Sequence, residues 1–229
     1  VRALVLYPLN ALADDQMVRL RRTLNSRSVV KYLDQEFGDV FTFGRYTGDT
    51  PGSGKNAEKS YIKTERTERS RWQSFRDDEL PKLSADNQER LRYAQPMIDT
   101  VQRAELWHRH LMQTSPPDIL VTNFSMLNIM LMREQEQPIW EQTREWLQDK
   151  SNVFHLVVDE LHFYRGTAGS EVAYTIRLLL RRLGLEPSSD QVRFLASSAS
   201  MDTSDASFSY IGGFFGLTAD EARKKFTLI

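Results

Sequence analysis

Two adjacent carboxylates, Asp159 and Glu160, follow an apolar run at residues 153–158, and His162 comes two residues later. An uninterrupted apolar run is typical of a strand covered on both faces of a parallel sheet. Ligands of such sheets bind beyond the carboxyl ends of the strands. Two acids at that position would repel each other unless a cation lay between them and a phosphate, which is how Mg²⁺ is commonly held. The pattern predicts a Mg²⁺ site at Asp159 and Glu160, with Asp159 holding the metal through water.

The same residues predict a reaction as well as a metal site. Glu160 would orient and deprotonate the water that attacks the γ-phosphoryl group of ATP. The alternative is a helix N-terminus, where acidic residues are favoured by the helix dipole. The strand before the pair and His162 after it favour the catalytic interpretation. We therefore predict Asp159, Glu160 and His162 as catalytic residues, with ATP and Mg²⁺ as ligands.

A glycine-rich stretch at residues 48–56, GDTPGSGKN, resembles a phosphate-binding loop at first sight. A Walker A loop reads G-x-x-x-x-G-K-[ST], because backbone N–H groups wrap the phosphates and the final hydroxyl binds Mg²⁺. Here Asn56 stands where the hydroxyl is needed, and Asp49 stands where the first glycine belongs. We interpret the stretch as a solvated turn, with the turn residues at 50–52.

Composition limits the classes of protein to consider. The 229-residue chain is 40% hydrophobic and 27% charged, has a net charge of −1 and contains no cysteine. The length allows one large domain or two small ones, and the charge confines any nucleic-acid surface to a local patch. The lack of cysteine excludes disulfides, thiolate zinc sites and a cysteine nucleophile. No apolar run approaches the roughly 20 residues that span a membrane, and no signal peptide is apparent. We expect no membrane partner and a cytoplasmic location.

Apolar runs and helical patterns alternate along the chain. The runs predict strands at residues 3–7, 40–43, 119–122, 153–158 and 192–195, and helical spacing predicts helices at 11–24, 124–133 and 170–183. This alternation predicts an α/β fold with a doubly wound, mostly parallel sheet flanked by helices.

The segment from residue 51 to about 115 interrupts this alternation. It is polar, rich in charges of both signs and too long for an ordinary connection. We predict a helical insertion at about 51–115 between two core parts, 1–50 and 116–229. Its charges indicate either a solvated helix face or a nucleic-acid contact.

The order of several motifs resembles superfamily 2 helicases of the DEAH/DExH type. Asp159-Glu160-Leu161-His162 after an apolar strand is similar to their Walker B motif. Other segments match in the family's order: residues 7–16 resemble motif Ia, residues 46–50 the Y-x-G-D-T segment, residues 117–127 motif Ib, and Ser198-Ala199-Ser200 motif III, with serine in place of the usual final threonine. Residues 164–166 and 169–170 make the mitomycin-repair-factor-like DNA helicases, and related large bacterial helicases including some in phage defence, the most similar group.

The resemblance implies a RecA-like fold and a role as the first motor domain of an ATP-dependent helicase or translocase. In that family the phosphate loop precedes motif Ia, so we expect it upstream of Val1, and we expect a second RecA-like domain outside this chain. DNA is favoured over RNA as the nucleic acid, and subunits of a repair or defence complex are further expected partners. Because the family's phosphate-loop lysine and arginine finger would lie elsewhere, we expect the isolated chain neither to hydrolyse ATP nor to unwind a duplex.

The resemblance also implies site residues beyond the catalytic ones. The expected nucleic-acid contacts are Pro8, Asn10, Ala11, Gln16, Gly48, Asp49, Thr50, Thr122 and Asn123. Helix capping is an equal alternative for Thr122 and Asn123, since both precede a predicted helix. Motif III is expected to couple the ATP and nucleic-acid sites, with the hydroxyls of Ser198 and Ser200 hydrogen-bonding to His162.

Two other interpretations remain open from the sequence. One is a non-catalytic nucleic-acid-binding or scaffold domain that retained a helicase fold. The other is the motor of a restriction or defence complex that translocates without unwinding. The remaining histidines, His108, His110 and His155, do not predict a metal site. The four tryptophans lie in amphipathic helical surroundings, which favours roles as core anchors over base stacking.

Overall fold

The computed structural model describes residues 1–52, 56–94 and 104–227. The described strands are β1 (Ala3–Tyr7), β2 (Phe43–Tyr46), β3 (Ile119–Asn123), β4 (Phe154–Val158) and β5 (Val192–Ala196). The described helices are α1 (Asn10–Leu24), α2 (Arg27–Phe37), α3 (Ala57–Ser74), α4 (Ala85–Ala94), α5 (Arg109–Thr114), α6 (Phe124–Met132), α7 (Gln137–Trp146), α8 (Gly166–Leu183), α9 (Asp205–Phe215) and α10 (Ala219–Lys225). Residues 53–55 of the glycine-rich stretch lie outside the described part.

The described strands form one parallel sheet in the order β2-β3-β1-β4-β5. The apolar residues of β1 divide between its two faces, as the strand period of two requires. Leu4 and Leu6 join a core packed by α6, α7, α8 and α9. Val5 and Tyr7 face the other side, where α1 packs through Ala13 and Met17. The sheet is therefore doubly wound, which confirms the predicted α/β class and is consistent with its RecA-like form.

Strand positions agree with the sequence patterns except in β2. The apolar run at 40–43 predicted that strand, yet pairing begins only at Phe43, which lies opposite Ile119 in β3. Thr42 is tied instead to the residue before β3, since its N–H and its hydroxyl both donate to the Asp118 carboxylate, at 2.8 and 3.1 Å. The strand then continues through Gly44 and Arg45, which carry no apolar signal.

The polar segment between β2 and β3 is helical over much of its described length. α3 continues through a π-helical turn at Phe75–Glu79 and a 3₁₀ turn at Leu80–Lys82 before α4 begins. From Ala104 the chain packs against the core again, and Glu105 forms a β-bridge with Phe43. The Glu105 carboxylate accepts two hydrogen bonds from Arg21 of α1, both at 2.7 Å. This buried ion pair attaches the returning chain to the helix that covers the sheet.

Candidate functional site

All described strands run in parallel, so the loops that follow them meet at one edge of the sheet. Along that edge the sheet order brings the loops after β2, β3, β1, β4 and β5 side by side. The predicted nucleic-acid residues follow β1 and β2 or end β3. The predicted catalytic residues follow β4, and the predicted coupling residues 198–200 follow β5. The two halves meet where the Asp159 N–H donates to the carbonyl of Leu6 at 3.0 Å.

Glu160 has an unusual backbone conformation. Its φ is 54°, and among the described residues it is the only non-glycine residue with positive φ. The left-handed conformation costs an L-residue roughly 1–2 kcal/mol. Ser197, at the end of β5, holds it there, because the Glu160 N–H donates to the Ser197 hydroxyl at 2.9 Å. At Glu160 the strained backbone therefore departs from the extended direction of β4.

Ser197 contacts the second carboxylate as well. Its hydroxyl donates to Asp159 Oδ1, and its carbonyl accepts the N–H of Leu161 at 2.8 Å. One side chain therefore fixes Asp159 and Glu160 relative to each other. The sequence analysis did not select Ser197, although the parallel register that pairs Val158 with Ala196 places the following residues side by side.

His162 is the partner of Glu160. Its Nδ1 lies 3.2 Å from Glu160 Oε2, and both side chains are about one-third exposed. The Ala199 amide nitrogen is 3.5 Å from the same Nδ1. An Nδ1–H that donates to Glu160 cannot also accept from Ala199, and the shorter contact decides in favour of Glu160.

The donor set at the end of β4 fits a divalent cation. Within the described ranges, no lysine or arginine pairs with Asp159 or Glu160. Ser197 occupies one Asp159 oxygen and His162 one Glu160 oxygen, so each carboxylate keeps one oxygen without a protein partner in the described part of the chain. Carboxylate oxygens are ligands that Mg²⁺ prefers, together with water and phosphate. Asp159 and Glu160 could hold the metal, which would neutralise charge on a bound triphosphate.

Residues 198–200, which resemble motif III, contact the loop after β4 differently from the prediction. Ser198 and Ser200 were expected to bond to His162 through their hydroxyls. The Ser200 hydroxyl instead accepts a hydrogen bond from Arg165 at 2.9 Å, and the Ser198 hydroxyl accepts the Ser200 N–H at 3.4 Å. The hydroxyl one residue earlier, on Ser197, makes the carboxylate contact because it directly follows β5.

Three of the predicted nucleic-acid residues form one hydrogen-bonded chain across three strands. Asn10, at the start of α1, donates from Nδ2 to Asp49 Oδ2 at 3.3 Å. The Asn123 side chain donates to Asn10 Oδ1 at 2.6 Å and accepts the N–H of Met126 at 2.7 Å. Asn123 is therefore the N-cap of α6, as the capping alternative required, and it also links α6 to Asn10 of α1. Asn10 in turn links α1 to the turn after β2.

The other predicted contact residues differ in exposure. Gly48 and Ala11 are exposed, and Pro8 and Gln16 are half-buried. Thr50 and Thr122 are buried, and their hydroxyls donate to the carbonyls of Arg45 and Tyr46 at 2.8 and 2.6 Å. These two threonines support the loops at this edge of the sheet from inside the protein, because their hydroxyls already donate to protein carbonyls.

Two tyrosines lie near the Asp159 carboxylate. Burial, and secondarily the charge of Asp159, raises the pKa of Tyr7 to about 12. The same causes in the same order raise the pKa of Tyr164 above its ordinary value. Both phenols therefore stay neutral at physiological pH, and the negative charge of this region resides on the carboxylates.

The remaining histidines and the tryptophans have structural contacts. His108 caps α5 by accepting the His110 N–H on Nδ1 at 3.1 Å. Among the described residues, no group of three or more histidine, aspartate or glutamate side chains could hold a metal ion. Trp140 is a core anchor, buried and donating to the Met130 carbonyl at 3.1 Å.

Comparison with known proteins gives one curated relative. The Druantia protein DruE of Escherichia coli (strain UMEA 4076-1) is 33% identical over 257 residues. This chain is a homologue of part of DruE. The match covers 97% of the chain but 14% of DruE, so the chain spans about one seventh of that protein's length. With this homologue, the resemblance predicted from the motifs is confirmed.

Solved structures with similar coordinates include the DUF1998 helicase MrfA bound to DNA and AMPPNP, with a TM-score of 0.48 at 21% identity. MrfA bound to DNA alone has a TM-score of 0.47 at the same identity. In both cases the match covers 95% of this chain, and it covers 20% and 19% of the respective MrfA chains. No family model matches the sequence. Within the described ranges, every helix is too short or too polar to cross a lipid bilayer.

Proposed function

We propose that this chain is part of the motor of an ATP-dependent nucleic-acid helicase or translocase, and that it carries the Mg²⁺-ATP hydrolysis site of that motor. The observation that carries the proposal is the arrangement of Asp159 and Glu160. Two carboxylates without lysine or arginine partners in the described part of the chain lie at the carboxyl end of a central strand, and Ser197 holds one of them in a strained conformation. Strain of this kind concentrates at functional sites.

In the proposed mechanism, Asp159 and Glu160 have different tasks. Asp159, fixed by the Ser197 hydroxyl, would hold Mg²⁺, and the metal would supply neutralisation of the phosphate charge when bound. Glu160 accepts a proton from the attacking water through the carboxylate oxygen that His162 leaves free. His162 donates to the other oxygen and so keeps the carboxylate in one orientation. Positioning of this kind accounts for most of the catalysis in phosphoryl transfer.

The proposed nucleic-acid contacts lie on the adjoining half of the same edge. The exposed turn at Gly48 and Asp49, and the N-terminal turn of α1 beside Asn10, present backbone amides and short polar side chains. Contacts of this type engage phosphate and sugar and carry no sequence information. We propose DNA as the nucleic acid, following the motif resemblance, and a second RecA-like domain and other subunits as partners of the whole protein in the cytoplasm.

Glu160→Gln tests the hydrolysis site in the natural protein that carries this chain. The amide keeps the size of the side chain but cannot accept the proton, so we expect kcat for ATP hydrolysis to fall by about 100-fold or more. ATP binding, measured by fluorescence of a nucleotide analogue, should remain within a few-fold of wild type. Glu145→Gln, an exposed acid on α7, is the matched control and should leave both quantities unchanged.

Two outcomes would contradict the proposed function. If Glu160→Gln hydrolyses ATP as fast as wild type, then Glu160 is not the catalytic base. If the wild-type protein binds nucleic acid but neither binds nor hydrolyses ATP, then the non-catalytic scaffold interpretation is correct.

A further inference from the structure

A buried polar cluster lies beneath the turn at 47–50, away from the catalytic carboxylates. Its members are Tyr46, His108, Arg109, Gln113 and Glu136. The Tyr46 hydroxyl donates to Glu136 Oε1 at 2.8 Å and accepts a hydrogen bond from Gln113 at 3.0 Å. Arg109 is 3% exposed and Glu136 is fully buried. Taking charged groups out of water costs several kcal/mol per ion. The cluster therefore stabilises the fold less than apolar side chains of similar volume would.

Arg109 holds the turn from inside the protein. Its Nη2 donates to the carbonyl of Thr47 at 2.7 Å and makes a longer contact of 3.5 Å with the carbonyl of Gly48. Its backbone N–H donates to the carbonyl of Pro51 at 3.0 Å. The guanidinium also lies over the Tyr46 ring, 5.1 Å from the centroid. One residue of α5 therefore binds the strand end and both sides of the turn.

His108 supports the same arrangement. It is fully buried and packs against Gly52, where an added Cβ would lie 2.2 Å from the imidazole Cε1. Burial, followed by the charges of His110 and Arg109, lowers the pKa of His108 to about 4. The imidazole is therefore neutral at physiological pH, and Arg109 is the charged group directly beneath the turn.

The geometry of the peptide bond turns this anchoring into an outward-facing site. In a trans peptide the C=O of one residue and the N–H of the next point in opposite directions. Because the carbonyls of Thr47 and Gly48 point inward to Arg109, the N–H groups of Gly48 and Asp49 point outward. Both residues are exposed, and neither N–H has an acceptor within the described ranges. No atom lies within 4 Å of the position that a Cβ on Gly48 would take.

We propose that Arg109 is a positioning residue for nucleic-acid binding. It orients the peptide planes of the turn so that the N–H groups of Gly48 and Asp49 form a site for a backbone phosphate. Successive N–H groups in a turn bind anions in this way, and the buried guanidinium adds positive potential from below. The Asn10 side chain donates a hydrogen bond to the Asp49 carboxylate and so holds that carboxylate to one side of the proposed phosphate site. This inference rests on the proposed function, since it names the residue that prepares the nucleic-acid contact.

The test compares variants of the natural protein that carries this chain, using a fluorescein-labelled thymidine oligonucleotide as the probe. Arg109→Met removes the donors and keeps most of the packing, and we expect about tenfold weaker binding, which corresponds to about 1.4 kcal/mol. Arg109→Lys keeps one charged donor and should recover most of the affinity. At saturating oligonucleotide, kcat and the KM for ATP should match wild type in both variants. Arg133→Met is the control, because Arg133 lies 3.8 Å from Glu136 and, among the described residues, has no hydrogen bond to the turn.

The outcomes separate this inference from the proposed function. If the wild-type protein does not bind the oligonucleotide, the proposed function itself fails. If wild type binds and Arg109→Met binds equally well, the inference is overturned and the proposed function stands. The inference is also overturned if Arg133→Met loses the same affinity, or if Arg109→Met raises the KM for ATP, because either result indicates a general structural role.

A second variant covers the case in which Arg109→Met does not fold, as judged by its thermal unfolding midpoint. Gly48→Pro removes one of the two outward N–H donors and leaves the buried cluster unchanged. We expect the same weakening of oligonucleotide binding. Wild-type affinity in a folded Gly48→Pro protein would overturn the proposed phosphate site.

Discussion

At the scale of single residues, Ser197 connects the parts of the candidate hydrolysis site. Its hydroxyl accepts the Glu160 N–H and donates to Asp159, so it both retains a strained backbone conformation and orients the carboxylate proposed to bind the metal. A neutral hydrogen bond contributes about 1 kcal/mol net, which is comparable to the cost of the left-handed conformation at Glu160. Loss of the hydroxyl should therefore release the conformation that the proposed mechanism needs.

Ser197→Ala should lower kcat for ATP hydrolysis by about 30-fold, since two hydrogen bonds of about 1 kcal/mol each are lost and about 1.4 kcal/mol corresponds to a tenfold change in rate. It should also raise the Mg²⁺ concentration needed for half-maximal rate. A Mg²⁺ titration of the steady-state rate measures both effects. Ser198→Ala is the matched control, because within the described residues its hydroxyl contacts only the Ser200 N–H. Equal losses in the two variants would show that Ser197 has no special position.

At the scale of elements, α8 lies close against the loop that follows β4. The lack of a side chain at Gly169 permits this approach, because a Cβ there would lie 2.0 Å from the Tyr164 carbonyl oxygen. The same carbonyl accepts a hydrogen bond from the Tyr210 hydroxyl of α9 at 2.8 Å. The loop after β4 is therefore held between two helices through one backbone group, which cannot move aside as a flexible side chain would.

Gly169→Ala should lower the free energy of unfolding by about 1–3 kcal/mol, the usual cost of overpacking. Gly213→Ala provides the opposite case within α9, since no atom lies within 4 Å of its added Cβ. That variant should be stabilised by about 0.5–1 kcal/mol, because alanine loses less backbone entropy than glycine. Urea denaturation of both variants measures the difference. Stabilisation by Gly169→Ala would mean that α8 does not pack this closely.

At the scale of the whole molecule, one sheet edge carries two proposed sites. β2, β3 and β1 present the nucleic-acid half, and β4 and β5 present the hydrolysis half. The hydrogen-bonded chain from Asp49 through Asn10 to Asn123 lies within the first half. Loss of the hydrogen bonds among these three side chains should therefore affect nucleic-acid binding without directly altering Asp159 or Glu160.

Asn10→Ala should weaken binding of a single-stranded oligonucleotide by a few-fold while leaving the ATPase rate without nucleic acid unchanged. The reason is that both hydrogen bonds of Asn10 connect segments proposed to contact nucleic acid, each bond contributing about 1 kcal/mol. Fluorescence anisotropy and a coupled ATPase assay measure the two quantities. Asn128→Ala, an exposed position on α6, serves as the control. A fall in the unstimulated ATPase rate of Asn10→Ala would contradict the division of the edge into two halves.

Local sequence patterns determined the elements of this protein and the position of the carboxylate pair proposed as catalytic. The apolar run of β1 predicted its bounds at residues 3–7, and the run at 153–158 placed Asp159 and Glu160 at the end of β4 within one residue. Hydrophobic periodicity is a local property of the chain, so one sequence is sufficient to detect it. The motif order also predicted the homology that DruE confirms.

Tertiary structure alone decided which side chains meet. Ser197 rather than Ser198 bonds to Asp159 because strand register selects the residue, and a shift of one position turns every side chain to the other face. Arg109 reaches the carbonyl of Thr47 across 62 positions of sequence, a contact that depends on where the polar segment rejoins the core. Such pairings arise from packing between distant parts of the chain, and no local pattern in the sequence records them.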